Sequence, residues 1–272
     1  VGKVSELFAR DDAARWIAVP GDDDDKYSRG VVGFVTGSAR YPGAAVLGVD
    51  AALHTGVGMV RYLGPGRATR LVLQRRPEAV TVEGRVQAWV LGSGWDTGRK
   101  ADELTRMLLE PVIEAPIPTV LDAGALSMVA DVPGPRVLTP HAEELARLLE
   151  VEAAEVLADR PAAALRAAQA TSCTVLLKGA ETLVAAPEGT LLRVRNATPW
   201  LATAGAGDAL AGILGALLAT HPTATDLAPI AATAAWVHGE AARRASGGGP
   251  FTILELCAAI PAVVRDLATM SA

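Results

Sequence analysis

The chain has 272 residues and a formal net charge of −5; it is long enough for one large α/β domain with a fully buried sheet, and it lacks the basic excess with which a general nucleic-acid binder neutralises phosphates. Half of the residues are hydrophobic but only 4% are aromatic, so the core is expected to consist of Ala, Val and Leu, as where helices pack closely on a parallel sheet. Cys173 and Cys257 stand far apart in apolar contexts, which argues against a disulfide framework or a zinc site, and the most apolar stretch, 209–219, is too short to span a bilayer.

The N-terminus has no basic, apolar, small-residue signal pattern, so a cytoplasmic protein is expected. Residues 5–16 read as a short helix with Val4, Leu7, Phe8 and Trp16 apolar, followed by an acidic loop to about residue 30. Within that loop Asp22–Lys26 resembles an engineered protease site, but it runs directly into Tyr27-Ser28-Arg29-Gly30 and is read as native chain. Val31–Thr36, an apolar run bounded by glycines, predicts a buried strand. Gly43–Thr55 predicts a helix ended by Gly56, and Met59–Leu63 the next strand, a βαβ unit with a parallel pair. The alternation continues with a helix near 66–75, strands at 78–82 and 88–91, a helix over 100–110, and strands at 119–121 and 136–138. Helices at 142–149 and 161–171 precede a strand at 174–177. Thr182–Ala186 and Leu191–Val194 flank Pro187-Glu188-Gly189-Thr190 and predict a hairpin. Helices over 206–219, 226–244 and 252–268 complete the chain. No linker or repeat interrupts the pattern, and one domain covering 1–272 is expected, with 1–30 as its N-terminal helix and acidic loop.

Polar chemistry collects at the carboxyl ends of the strands: Gly37-Ser38, Gly92-Ser93-Gly94, Asp122, Thr139-Pro140-His141 and Lys178-Gly179. In an open parallel sheet these ends share one edge, and ligands bind in the crevice outside it. The sharpest element is Ala202-Thr203-Ala204-Gly205-Ala206-Gly207-Asp208, which opens a very apolar helix. A glycine turn lets the unpaired amides of a first helical turn converge, and Gly205, Ala206 and Gly207 form a candidate anion hole suited to phosphate. Asp208 beside it would repel a resting phosphate, but it suits a base that accepts the proton of a hydroxyl attacking phosphorus. A capping Asp is the plainer alternative. No dinucleotide fingerprint or Walker lysine motif is present. Instead Lys178-Gly179-Ala180-Glu181-Thr182 places a cation and a permissive glycine at a strand end, where Lys178 is either a nucleotide contact or a solvated lysine. His141 stands at a helix start before Glu143-Glu144, as a structural residue or a ligand contact. His54, His221 and His238 receive no role. Without a second ligand at metal spacing, Mg²⁺ arriving with a nucleotide is a better expectation than a protein-held metal.

Seven motifs occur in order: Lys26-Tyr27-Ser28-Arg29-Gly30; Gly37-Ser38 with Tyr41-x-Gly43-Ala44-Ala45; Leu91-Gly92-Ser93-Gly94; Leu121-Asp122-Ala123; Leu138-Thr139-Pro140-His141-x-Glu143; Leu177-Lys178-Gly179-Ala180-x-Thr182; and Ala204-Gly205-Ala206-Gly207-Asp208-x-Leu210-Ala211-Gly212. Together, over residues 26 to 245, they resemble the ADP- or ATP-dependent NAD(P)H-hydrate dehydratase family of the ribokinase-like superfamily. The resemblance implies a three-layer α/β/α fold with a mostly parallel central sheet and no separate lid domain. It implies a (6S) hydrate of NADH or NADPH as substrate, phosphorylated at its C6 hydroxyl and then relieved of phosphate. Asp208 would be the base, with Ala44, Gly94, His141 and Asp208 lining the hydrated-dinucleotide pocket. Lys178, Gly179, Ala180, Glu181, Thr182 and Gly207 would bind the nucleotide, ADP by preference, with Mg²⁺. A homo-oligomer, often a tetramer, and a separate epimerase as functional partner are also implied, with no nucleic acid and no membrane.

Two departures stand out. The family usually carries a second acid where this chain has Gly124, which puts metal handling or rate in question. The turn reads Gly-Ala-Gly-Asp where Gly-Thr-Gly-Asp is commoner, removing a hydroxyl but leaving the amides. A small-molecule kinase of the same superfamily is the main alternative, and a catalytically silent nucleotide-binding protein the second.

Overall fold

The computed structural model describes residues 6–95, 107–110, 112, 114 and 116–271. Its strands are Glu6–Leu7 (β1), Val31–Val35 (β2), Met59–Tyr62 (β3), Ala88–Leu91 (β4), Thr119–Leu121 (β5), Arg136–Leu138 (β6), Thr174–Leu177 (β7), Thr182–Ala185 (β8) and Leu191–Val194 (β9). Among the described residues they form one sheet in the order β1-β9-β8-β7-β6-β5-β4-β2-β3. From β3 to β7 every pair is parallel, and only β8 runs against its neighbours. Strand order reverses where β4 returns beside β2 rather than beside β3, and such a switch point opens a crevice at the carboxyl ends.

The helices are Arg10–Ala14 (α1), Gly43–Thr55 (α2), Gly66–Arg75 (α3), Ala142–Leu149 (α4), Ala153–Ala158 (α5), Arg160–Thr171 (α6), Ala206–Thr220 (α7), Ala228–Ser246 (α8) and Ile253–Ser271 (α9). Because side chains alternate across a strand, the inner strands feed two cores. Val32, Phe34, Val90 and Val120 meet α2, α7, α8 and α9 on one face. Val35, Trp89, Leu91, Leu121 and Val175 meet α4 and α6 on the other. This is the expected three-layer α/β/α arrangement. Small residues bring the first layer close: a Cβ on Gly212 of α7 would lie 2.2 Å from the Gly48 carbonyl oxygen of α2. No helix among the described residues is long and apolar enough to cross a membrane.

The structure corrects several expected elements. The 5–16 helix is shorter, because Glu6 and Leu7 pair with Leu192 and Arg193 on the open edge of β9 and the helix starts only at Arg10. The 78–82 strand reduces to one bridge between Arg61 and Val80, beyond which the chain bends around the Arg61 guanidinium, bonded to the Val82, Glu83 and Arg85 carbonyls. Helix α5 was not anticipated, and a 3₁₀ helix over Ala123–Met128 fills the turn after β5. Of the helix expected over 100–110, Met107–Glu110 is helical and 100–106 lies outside the described residues.

Candidate active site

The site grows from the carboxyl ends of β4, β5, β6 and β7. Asp122, directly after β5, is buried and collects three donors. Ser93 Oγ donates to its Oδ2 at 2.8 Å, and Thr139 Oγ1 and Lys178 Nζ donate to its Oδ1 at 2.7 and 3.0 Å. A buried carboxylate is tolerated only with such partners, and here four strand ends are tied through one group. Lys178 Nζ also lies 3.7 Å from Glu144 Oε2. Burial opposes the charge of Lys178, but Asp122, Glu144 and Asp208 together outweigh it and hold the ammonium above its usual range.

The glycine turn arrives from the opposite layer. Gly205 has φ +92°, a left-handed conformation that suits glycine, and α7 starts at the next residue. The Ala206 amide donates to Thr203 O at 3.3 Å and the Ala209 amide to Gly205 O at 3.1 Å. The Gly207 and Asp208 amides between them have no backbone acceptor, as expected in a first helical turn. A Cβ at Gly207 would lie 3.6 Å from Lys178 Nζ, so the β7 cation and the turn are neighbours. Burial, then repulsion from Asp122, pushes the Asp208 carboxyl up to about 7 against the pull of Lys178. A carboxylate near neutrality beside a helix N-terminus and a lysine is fitted to exchange a proton.

Ala44 and Gly94 meet at the switch point, where a Cβ on Gly94 would lie 2.6 Å from the Ala44 Cβ and 3.1 Å from the Gly37 Cα. One turn on in α2, Gly48 rests against the Asp208 backbone. His141 caps α4: its Nδ1 accepts from the Glu144 amide at 3.4 Å, and Glu144 Oε2 accepts from the His141 amide at 2.8 Å. Its half-exposed ring therefore stands next to the carboxylate that approaches Lys178.

The turn after Lys178 is clasped from behind. Arg160 Nη2 donates to the carbonyls of Lys178 and Glu181 at 3.2 and 3.0 Å, passing so close to Gly179 that a Cβ there would lie 2.3 Å from it. The Glu181 side chain is bound by Arg193 at 2.7 and 2.8 Å and by Arg195, and Arg193 foremost, with Arg195, holds its carboxyl down at about 2. Ala180 is exposed, and Thr182 begins β8. At residue 124 a Cβ would lie 2.7 Å from the Trp95 Cβ, so glycine fits the local backbone.

Sequence reading attached no role to Ser93, Thr139 or Arg160. Ser93 and Thr139 carried a signal, as polar residues at strand ends. Arg160 carried none, since its partners lie in the turn after β7. A separate hollow of about 400 Å³, lined by Trp16, Thr220, His221 and Asp226, lies at the other end of α7, about 20 Å from Asp208 at 1.5 Å per helical residue.

Residues 32–255 match the family model described as NAD(P)H-hydrate dehydratase. The chain is 44% identical over 224 residues to the bifunctional NAD(P)H-hydrate repair enzyme Nnr of Mycobacterium tuberculosis, across 78% of this chain and 45% of that protein. It is 36% identical over 239 residues to the ADP-dependent (S)-NAD(P)H-hydrate dehydratase of Neisseria meningitidis, across 81% of this chain and 79% of that one. The chain thus spans about half the length of the bifunctional relatives. Among solved structures, the ADP/ATP-dependent NAD(P)H-hydrate dehydratase from Bacillus subtilis, co-crystallized with ATP/Mg²⁺, superposes with a TM-score of 0.85. It shares 24% identity, covering 97% of this chain and 99% of that one, a likeness of fold.

Proposed function

The chain belongs to the NAD(P)H-hydrate dehydratase family, and on that premise we propose that it uses ADP to dehydrate the (6S) hydrates of NADH and NADPH. The observation that carries the proposal is the Asp208 carboxyl, raised to about 7 beside amides without acceptors and within the field of Lys178.

In the proposed reaction Asp208 accepts the proton of the C6 hydroxyl as its oxygen attacks the terminal phosphorus of ADP. A C6–O–P bond forms and AMP leaves with the electron pair of the broken P–O bond. The Gly207 and Asp208 amides, with Gly205 and Ala206 shaping the turn, hold the charge developing on the transferred group. Lys178 neutralises the nucleotide, and Gly179–Thr182 place the backbone against it. The C6–O bond then breaks, phosphate departs, and loss of a proton from C5 restores the ring double bond. Phosphate leaves readily where hydroxide does not, which is the reason for spending a nucleotide. Ala44, Gly94 and His141 would line the pocket of the hydrated dinucleotide. The described residues hold no cluster of three or more His, Cys, Asp or Glu able to grip a metal; Mg²⁺ is proposed to come with the nucleotide phosphates, and no step is routed through it.

An epimerase would supply the reactive epimer, and a homo-oligomer is part of the same proposal. The test is the return of NADH absorbance from its hydrate with ADP or ATP, in wild type and Asp208→Asn. Recovery in the wild type and a loss of about 100-fold or more in the variant are expected for a missing base. Accumulation of a stable alcohol phosphate, or an unaffected variant, would overturn the reading.

A further inference from the structure

The turn between β7 and β8 has no main-chain brace of its own. The ladder ends where Leu177 pairs with Leu183. Beyond it the Lys178 amide donates to Pro140 O at 2.9 Å, but the amides of Gly179, Ala180 and Glu181 find no backbone acceptor among the described residues. Gly179 and Ala180 are exposed. Exposed backbone without internal hydrogen bonds opens at little cost, whereas a backbone that binds phosphate must hold one shape.

The brace comes from another element. Arg160 is the first residue of α6, whose start is capped by Asp159 Oδ1 accepting from the Ala162 amide at 3.0 Å. Ala163, Ala164, Ala167 and Ala168 share a core with Val175, Leu177 and Leu183, so α6 is seated on the two strands that the turn joins. From that base one nitrogen, Arg160 Nη2, donates to Lys178 O and to Glu181 O, spanning the mouth of the turn. Gly179 lets it pass, since a Cβ there would lie 2.3 Å from Nη2. The Glu181 carboxylate is taken by Arg193 and Arg195, which leaves Arg160 to the backbone. The peptide unit between Lys178 and Gly179 is planar and trans, so its carbonyl and its N–H point in opposite directions. With the Lys178 oxygen held at Arg160, the Gly179 N–H faces away from the guanidinium.

We infer that Arg160 is a positioning residue for the nucleotide: it grips Lys178 O and Glu181 O from one side, fixes the turn, and presents the Gly179 amide to an ADP phosphate on the other. The inference rests on the proposed nucleotide contact of residues 178–182.

Calorimetric ADP binding and the ADP dependence of hydrate rescue test it, in wild type, Arg160→Ala, Arg160→Lys, Gly179→Ala and the double variant Arg160→Ala/Gly179→Ala. Arg160→Ala should weaken ADP binding and raise KM for ADP by about tenfold, the worth of one hydrogen bond to a charged group. Its kcat should change little, the signature of binding lost equally from ground and transition states. Arg160→Lys keeps a donor that can reach both carbonyls and should recover most of the loss. Gly179→Ala should weaken ADP by displacing the guanidinium, and should add little once Arg160 is already Ala, because the methyl then occupies vacated space. A folded Arg160→Ala with lowered Tm but wild-type ADP affinity and KM overturns the inference, as does a Gly179→Ala penalty equal in both backgrounds. If Arg160→Ala does not fold, weakened ADP binding in Gly179→Ala with near-wild-type binding in Arg160→Lys supports it, and unchanged affinity in Gly179→Ala overturns it. Wild type that binds no ADP overturns instead the nucleotide reading on which it rests.

Discussion

Asp208 shows how one residue is both useful and costly. Its folded carboxyl titrates near 7, well above the ordinary carboxylate value, so the proposed base becomes competent only as the pH passes neutrality. The linkage runs the same way. Below the unfolded value of 3.8 the group is protonated in both states and has no effect. Between there and about 7 the folded state keeps a proton that the unfolded chain has released, so stability falls as pH rises, and above 7 the whole penalty is present. Asp208→Asn removes the buried charge. The variant is expected to be more stable than wild type at pH 8.5 by on the order of 1 kcal/mol, or a few degrees in Tm, with the difference shrinking toward pH 5.5. A difference independent of pH would refute the assignment of the penalty to Asp208. Lys178 has the complementary role: it stands among Asp122, Glu144 and Asp208 and keeps three carboxyl groups compatible.

Between elements, the decisive contact is the backbone-to-backbone approach of α2 and α7. Gly48 and Gly212 let Ala44 at the start of one helix and Asp208 at the start of the other lie along the same rim. Gly212→Ala would drive a methyl to 2.2 Å from the Gly48 carbonyl oxygen, which no rotamer relieves. The expected effect is a destabilisation of about 1–3 kcal/mol, measured by urea unfolding. Loss of hydrate rescue should accompany it, because separating the helices separates their N-termini. Unchanged stability would show that α2 and α7 move apart freely. At this scale the sequence was most legible where an element carries its own punctuation. Val31–Val35 is apolar between glycines, and α2 ends at Gly56, whose φ is +101°. It was least legible where a neighbour decided: Glu6–Leu7 is a strand only because β9 offers an edge, and Val80 is a lone bridge because Arg61 bends the chain away.

For the whole molecule, the proposed nucleotide contacts come from α7, β7 and the turn before β8, regions far apart in sequence that only the folded chain assembles. ADP should therefore bind the native state alone and stabilise it by mass action, by about 2.7 kcal/mol at a hundredfold excess over Kd. A thermal-shift titration with ADP, ATP and GTP reads this directly, and no shift with any nucleotide would contradict the proposed site. Most strands and helices after Gly30, the polar strand ends and the glycine turn that opens α7 were determined by the sequence itself, because apolar runs, glycine punctuation and motif order are local properties. What only the tertiary structure decided is which groups share a field. Asp122 gathers Ser93, Thr139 and Lys178 from three other strand ends, and Arg160 clasps the turn after Lys178. Burial and proximity set the basicity of Asp208, and both arise only when distant segments exclude water from one another.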